Sequence, residues 1–156
     1  MNAPLLIFAV GNPSRGDDAL GPLLLDRLQA DGLDAGGQVE LLCDFQFQVE
    51  HMLDLQDRSA VLLIDAARPG VVRGALITAL QPRSERLTPA SHALDGRTLL
   101  GLALRMHGTA PPAWMLAIEG ASFDLGEDLS PLAQQHLEQA HHLALTWVDE
   151  RLARAE

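Results

Sequence analysis

The stretch LLIFAVGNPSRGDDALG, which runs from Leu5 to Gly21, carries the clearest structural signal in the chain. Its first six residues form a continuous apolar run of strand length. Beyond the loop, leucines recur at the three- and four-residue spacing of a helix, namely Leu20, Leu23, Leu24 and Leu28. A strand, a glycine-bounded loop and a helix are the usual way in which an open α/β sheet presents a site at its carboxyl edge. We therefore expect a functional site at this loop.

The loop ends on two adjacent carboxylates, Asp17 and Asp18. A phosphate-binding loop carries Lys and then Ser or Thr after its second glycine, and it holds the anion on backbone N–H groups. Two carboxylates at this position repel phosphate, so the loop predicts a cation site rather than a nucleotide site. Acids at a helix N-terminus are also favoured by the helix dipole. A purely helix-stabilising role for either aspartate therefore stays open.

The composition limits the class of protein. A length of 156 residues suits one domain, residues 1–156, with a sizeable core. The formal charge of −10 argues against a nucleic-acid partner. No apolar run approaches the roughly 18 residues of a membrane span, and no basic segment precedes the first apolar run. The single cysteine, Cys43, excludes an internal disulfide framework. Together with the missing export signal and membrane span, this leads us to expect a cytoplasmic protein with no membrane partner.

The remaining pattern predicts alternating strands and helices. The predicted strands are Leu5–Val10, Val39–Cys43, Ala60–Ile64, Ala75–Leu80 and Trp114–Ile118. The predicted helices are Asp17–Ala30, a short Gln48–Leu55, Gly96–His107 capped by Asp95, and a last helix that Ser130 and Pro131 open. The eight residues Ala66–Arg73 are too few for a parallel crossover, so the fourth strand should run antiparallel to the third. We expect an α/β fold: a twisted, mostly parallel five-stranded sheet with one antiparallel strand and helices on both faces.

Three residues are expected to converge in this fold. Asp18 follows the first strand and Asp65 ends the third, so both reach the same edge if those strands are parallel neighbours. A carboxylate that closes an apolar run is partly buried and needs a partner. His92 ends a twelve-residue loop, which spans about 40 Å at most when extended and can return to this edge. Two carboxylates and an imidazole suit a borderline divalent metal such as nickel or zinc. Taken alone, His92 has the alternative of an ordinary loop or capping residue.

Other catalytic constellations are missing from the sequence. There is no H-E-x-x-H motif. The last helix carries His136, His141 and His142, and no two of them have the four-residue spacing with which that motif binds a metal. There is no G-x-S-x-G elbow, since Gly120-Ala121-Ser122 continues into Phe123. Cys43 is a possible nucleophile, but a thiol at a strand end is usually a packing residue.

Together these residues resemble those of the hydrogenase maturation endopeptidases, which trim the C-terminal extension from the large-subunit precursor of nickel–iron hydrogenases. The matching segments are Gly11-Asn12 with Asp17-Asp18 and Gly21, then Leu63–Ala66, Ser91-His92 and Phe123–Glu127. The segments Asp44–His51 and Phe123–Ser130 are most similar to the branch that serves cytoplasmic, NAD-coupled hydrogenases. One departure is Ala19, because many members have glycine directly after the acidic pair.

The resemblance implies a peptide-bond hydrolase. In the family, residues at the positions of Asp18, Asp65 and His92 contact the metal, so these three are the expected catalytic and metal-contacting residues. We assign Asn12 and Asp17 to substrate binding, and His92 and Asp17 are the available general bases. The resemblance also implies that nickel is the metal and is carried mainly by the hydrogenase large-subunit precursor, with another divalent metal as an alternative in vitro. Two alternatives stay open: a non-catalytic metal-binding assembly factor with the same fold, and a hydrolase of a soluble metabolite.

Overall fold

A computed structural model of the protein describes residues 2–83 and 94–154. The strands are β1 Leu5–Val10, β2 Val39–Asp44, β3 Ala60–Ala67, β4 Ala75–Leu80 and β5 Ala113–Glu119. The α-helices are α1 Leu20–Ala30, α2 Gly96–His107 and α3 Pro131–Arg154, and two short 3₁₀ helices cover Gly16–Ala19 and Val49–Leu53. The predicted order of strands and helices is confirmed.

The five strands form one sheet in the order β2-β1-β3-β5-β4. The four strands β2, β1, β3 and β5 are parallel, so their carboxyl ends lie along one edge. The last strand, β4, pairs with β5 and runs antiparallel to it. The predicted direction of β4 is thus confirmed, although its hydrogen-bonded neighbour is β5 and not β3.

Helices cover both faces of the sheet, as predicted. On one face, α1 and α3 pack on alternate residues of the strands, with Ile7, Leu62 and Leu116 at the centre. On the other face, α2 packs over Phe8 and Leu63. The long α3 is amphipathic, and among the described residues no helix combines the length and apolar composition needed to cross a bilayer.

Two element boundaries near the expected site differ from the prediction by more than one residue. The first helix was expected from Asp17, but residues 16–19 form a separate 3₁₀ turn and α1 begins at Leu20. The third strand was expected over Ala60–Ile64 and closed by Asp65, but it continues to Ala67 because β5 pairs alongside it as far as the Ala67–Glu119 pair. Both differences arise from contacts with residues far along the chain, which a local pattern does not contain.

The helix caps agree with the sequence. The Asp95 carboxylate accepts a hydrogen bond from the Thr98 amide at 2.8 Å, and Gly108 closes α2 with a φ of +79°. The Ser130 hydroxyl accepts from the Ala133 amide at 3.1 Å at the start of α3.

Candidate active site

Two glycines explain how the loop after β1 places Asp18. Gly11 has a φ of +152°, and a Cβ there would lie 2.1 Å from the backbone oxygen of Asp18. A Cβ on Gly21 would lie 2.6 Å from the backbone oxygen of Val10. The glycines therefore let the start of α1 press against the end of β1, which brings Asp18 to the carboxyl edge. Ala19 has a φ of −72°, so its departure from the family's glycine introduces no strain.

Asp18 is half-buried and is fixed through one carboxylate oxygen. Its Oδ2 accepts a hydrogen bond from the Asn12 amide at 2.7 Å. The side chain of Asn12 accepts from the Ser14 amide at 2.9 Å, which closes a local turn. Asn12 thus shapes the loop with both its backbone and its side chain. Its contact with substrate stays a prediction.

Asp65 lies on β3 directly after Ile64, the last residue of β3 that pairs with β1. Burial, together with the negative charge of Asp18, raises the pKa of this carboxyl from 3.8 to about 7, against the opposing effect of a hydrogen bond from the Ala66 amide. The structure therefore brings Asp18 and Asp65 within electrostatic reach of each other at the top of β1. Such a pair can share a proton or face a divalent cation.

The third predicted residue, His92, lies outside the described residues together with Ser91. Its role stays a prediction. Within residues 2–83 and 94–154, no group of three or more His, Cys, Asp or Glu side chains is placed to hold a metal ion. The two carboxylates supply the oxygen ligands that hard and borderline divalent cations accept, so they fit part of such a donor set.

Asp17 has a different environment from its neighbour. Its carboxylate is completely buried and accepts hydrogen bonds from the amides of Ala121 (2.6 Å), Ser122 (3.1 Å) and Ser130 (2.7 Å) and from the Ser130 hydroxyl (2.7 Å). Burial alone would raise the pKa of Asp17, but these four hydrogen bonds hold it below its usual value. The substrate contact and the base role expected of Asp17 are therefore not available in this structure. The carboxylate has no exposed surface, and its lowered pKa disfavours the uptake of a proton.

The segment that surrounds Asp17 was not predicted as part of the site. The Asp17 amide donates to the Ser122 carbonyl at 2.8 Å. A Cβ on Gly16 would lie 2.6 Å from that same carbonyl oxygen, and a Cβ on Gly120 would lie 2.6 Å from the Asp17 Cβ. The β5–α3 connection, residues 120–130, is thus the support on which the acidic turn rests. Its sequence signals are the similarity of Phe123–Glu127 to the family, the similarity of Phe123–Ser130 to one branch of it, and Ser130 at the start of the last helix.

An aspartate–histidine contact lies one strand away, at the end of β2. The Asp44 carbonyl accepts from the Gly11 amide at 3.1 Å, and the Asp44 carboxylate lies 3.1 Å from His51 Nε2. Since His51 Nδ1 accepts from the Gln48 amide at 2.8 Å, Nε2 carries the proton and donates to Asp44. Both ring nitrogens are thereby occupied. His51, buried edge-on against Phe8, holds the loop after β2 in place.

The fold and this edge define an α/β protein with a carboxylate pair at the carboxyl ends of parallel strands. No protein-family model matches the chain, and no curated protein matches it. Solved structures do match. The hydrogenase maturating endopeptidase HybD from Escherichia coli is similar with a TM-score of 0.70 and 22% identity, over 97% of this chain and 94% of that one.

The NiFe hydrogenase maturation protease HycI from Thermococcus kodakarensis gives a TM-score of 0.67 and 24% identity, over 91% of this chain and 90% of that one. An endopeptidase from Escherichia coli, solved in solution, gives 0.71 and 20%, over 97% and 94%. The chain therefore has the fold of the hydrogenase maturation proteases, as the resemblance of its motifs predicts.

Proposed function

We propose that this protein is an endopeptidase that removes the C-terminal extension from a nickel–iron hydrogenase large-subunit precursor, in the cytoplasm and after nickel has been inserted. The observation that carries the proposal is the pair Asp18 and Asp65 at the carboxyl edge of a fold shared with HybD and HycI. The metal belongs to the substrate, and the protein supplies the carboxylates that meet it.

Charge gives the pair its selectivity. A nickel-loaded precursor offers positive charge to Asp18 and Asp65, whereas an empty precursor leaves the two carboxyls facing each other and a proton held between them. Asp17 is completely buried and its carboxylate already accepts four hydrogen bonds, so His92 is the remaining candidate for a general base.

The surface around the pair suits a protein substrate. Three loops follow the carboxyl ends of β2, β3 and β5, and each exposes one large apolar side chain at this edge: Phe45 (68% exposed), Val71 (70%) and Leu125 (67%). Exposed apolar side chains around a site are typical of protein–protein contact surfaces. A hydrolase of a small metabolite is expected to enclose its substrate instead.

The test uses purified protein with nickel-loaded and nickel-free precursor, and mass spectrometry detects the shortened product. We expect cleavage of the loaded form only, and loss of cleavage in Asp65→Asn and Asp18→Asn. Asp149→Asn, an exposed position on α3, is the matched control and should cleave normally. Equal cleavage of both precursors would contradict recognition of nickel. Nickel-dependent binding without any shortening would instead identify an assembly factor.

A further inference from the structure

The strand β2 lies at an open edge of the sheet, directly beside the proposed site. Among residues 2–83 and 94–154 it pairs with β1 alone, through hydrogen bonds such as Leu5 amide to Gln38 carbonyl and Gly11 amide to Asp44 carbonyl, both 3.1 Å. In a parallel pair, alternate residues of a strand direct their backbone groups toward the partner. The residues between them therefore direct their N–H and C=O groups outward.

These outward residues are Val39, Leu41 and Cys43, and within the described residues their backbone groups have no hydrogen-bond partner. Edge strands are commonly protected by lysine, proline or a bulge. The β2 sequence VELLCD has neither lysine nor proline, and its pairing with β1 is regular over all six residues. One of its two acids, Glu40, is held by Arg58 at 2.6 Å. The edge is thus open for an added strand.

The open edge is continuous with the loop that carries Asp18. Between the two lies a shallow cavity of about 220 Å³, lined by Gly11, Pro13, Pro22, Cys43, Asp44 and Phe45. Gly11 is also the residue on which the Asp18 backbone rests. A chain that leaves the site can therefore lay one side chain in this cavity and continue along β2.

The charge beside Cys43 favours a particular kind of side chain. Partial burial of the Cys43 thiol raises its pKa, and the negative charges of Asp26 and Asp44 raise it in the same direction. Asp26 and Asp44 therefore give the end of the edge near Cys43 a negative charge. A lysine or arginine of a bound peptide would be stabilised there.

We propose that the open edge of β2 binds the C-terminal extension of the precursor as an added antiparallel strand. This inference rests on the proposed function, since it names the part of that substrate that β2 holds. The extension starts at the scissile bond, which lies at the carboxyl edge, so its following residues run from Asp44 toward Val39, opposite to β2. A strand added beside β2 lies about 10 Å from β1. About three extended residues of the extension would therefore connect the site at the end of β1 to the added strand.

The first test is a cross-link from the only cysteine of the chain, Cys43, which is exposed. We attach a benzophenone to Cys43 at alkaline pH, add nickel-loaded precursor, irradiate, and locate the cross-link by mass spectrometry. The control carries Cys43→Ser with Ala79→Cys, an exposed position on the opposite edge strand β4. We expect cross-links from Cys43 to the extension, none from Ala79→Cys, and none to a large subunit that already lacks the extension. Cross-links from Ala79→Cys, or equal labelling of the shortened subunit, would overturn the proposal.

The second test removes an outward donor. Cys43→Pro lacks the N–H that a bound strand would use. Ala79→Pro is the matched change on β4: the hydrogen bond from the Glu119 amide to the Gly74 carbonyl shows that Gly74 faces β5, so by alternation Ala79 directs its N–H outward. We expect about a tenfold rise in KM with kcat nearly unchanged for Cys43→Pro, and wild-type kinetics for Ala79→Pro, with folding checked by circular dichroism. Unchanged KM in folded Cys43→Pro overturns the role of β2 and leaves the proposed protease intact. A cross-link to the extension without any cleavage supports β2 and overturns the protease.

Discussion

The two adjacent aspartates should respond in opposite ways to substitution, and this contrast is the most direct check on the site. Asp17→Ala removes a buried carboxylate that accepts four hydrogen bonds, and it leaves three amides and a hydroxyl without that acceptor. Asp18→Ala removes one hydrogen bond from the Asn12 amide at a half-buried position. Asp17→Ala therefore removes the contacts that hold the acidic turn against residues 120–130, whereas Asp18→Ala removes the carboxylate that we expect to meet the substrate.

The magnitudes follow from these contacts. Removing one side of a buried, charge-assisted network costs about 3–5 kcal/mol. A single hydrogen bond at a half-buried position contributes about 1 kcal/mol, and loss of Asp18 also relieves its repulsion of Asp65. We expect Asp17→Ala to lower the free energy of unfolding by at least about 2 kcal/mol more than Asp18→Ala does. Asp17→Asn, which keeps the shape but turns an amide toward backbone donors, should fall between them.

Urea unfolding at pH 7, followed by far-ultraviolet circular dichroism, measures these differences when the slopes of the transitions agree. Cleavage assays on the same samples should show Asp18→Ala folded but inactive. The pH dependence has a definite sign, because the pKa of Asp17 is lowered in the folded protein. The stabilisation by Asp17 is complete above its unfolded pKa, near 3.9, and is lost as the pH falls through the folded value. A cost below about 1 kcal/mol for Asp17→Ala, or an equal cost for Asp18→Ala, would refute the assignment.

Three further outcomes are expected. Because Asp65 has a pKa of about 7 when folded, the native state keeps a proton between about pH 4 and 7 that the unfolded chain releases. The stability of the wild type should therefore fall relative to Asp65→Asn as the pH rises through that window, by about 4 kcal/mol at most; a constant difference in urea unfolding would contradict this. Gly120→Ala places a Cβ 2.6 Å from the Asp17 Cβ and should cost about 1–3 kcal/mol, seen as a lower Tm, whereas an unchanged Tm would show that the contact relaxes freely. Asp95→Ala removes the cap on the Thr98 amide and should cost about 1 kcal/mol without affecting how tightly the precursor binds, and tighter or weaker binding would link this cap to the site.

The sheet was largely predictable because its signals are local. The apolar runs of β1 and β3 suit strands buried on both faces, and the short connection before β4 fixes its direction. The sequence also contains the glycines that bring Asp18 to the edge, since Gly11 and Gly21 stand where two backbones approach too closely for a Cβ. The extension of β3 beyond Ile64 depends on pairing with β5, about fifty residues later, and no pattern within β3 indicates it.

The different roles of Asp17, which is buried and structural, and Asp18, which lies at the sheet edge, were not predictable from residue type, since the two residues are identical and adjacent. It follows from the 3₁₀ turn over Gly16–Ala19. With about three residues per turn, successive side chains point roughly 120° apart, so one carboxylate of an adjacent pair can face the interior while the next faces the sheet edge. The interior position then needs donors, and these come from residues 121–130, more than a hundred positions away. The two adjacent acids therefore act together: the buried Asp17 fixes the turn, and the turn sets the direction of Asp18, the acid that we expect to meet the substrate.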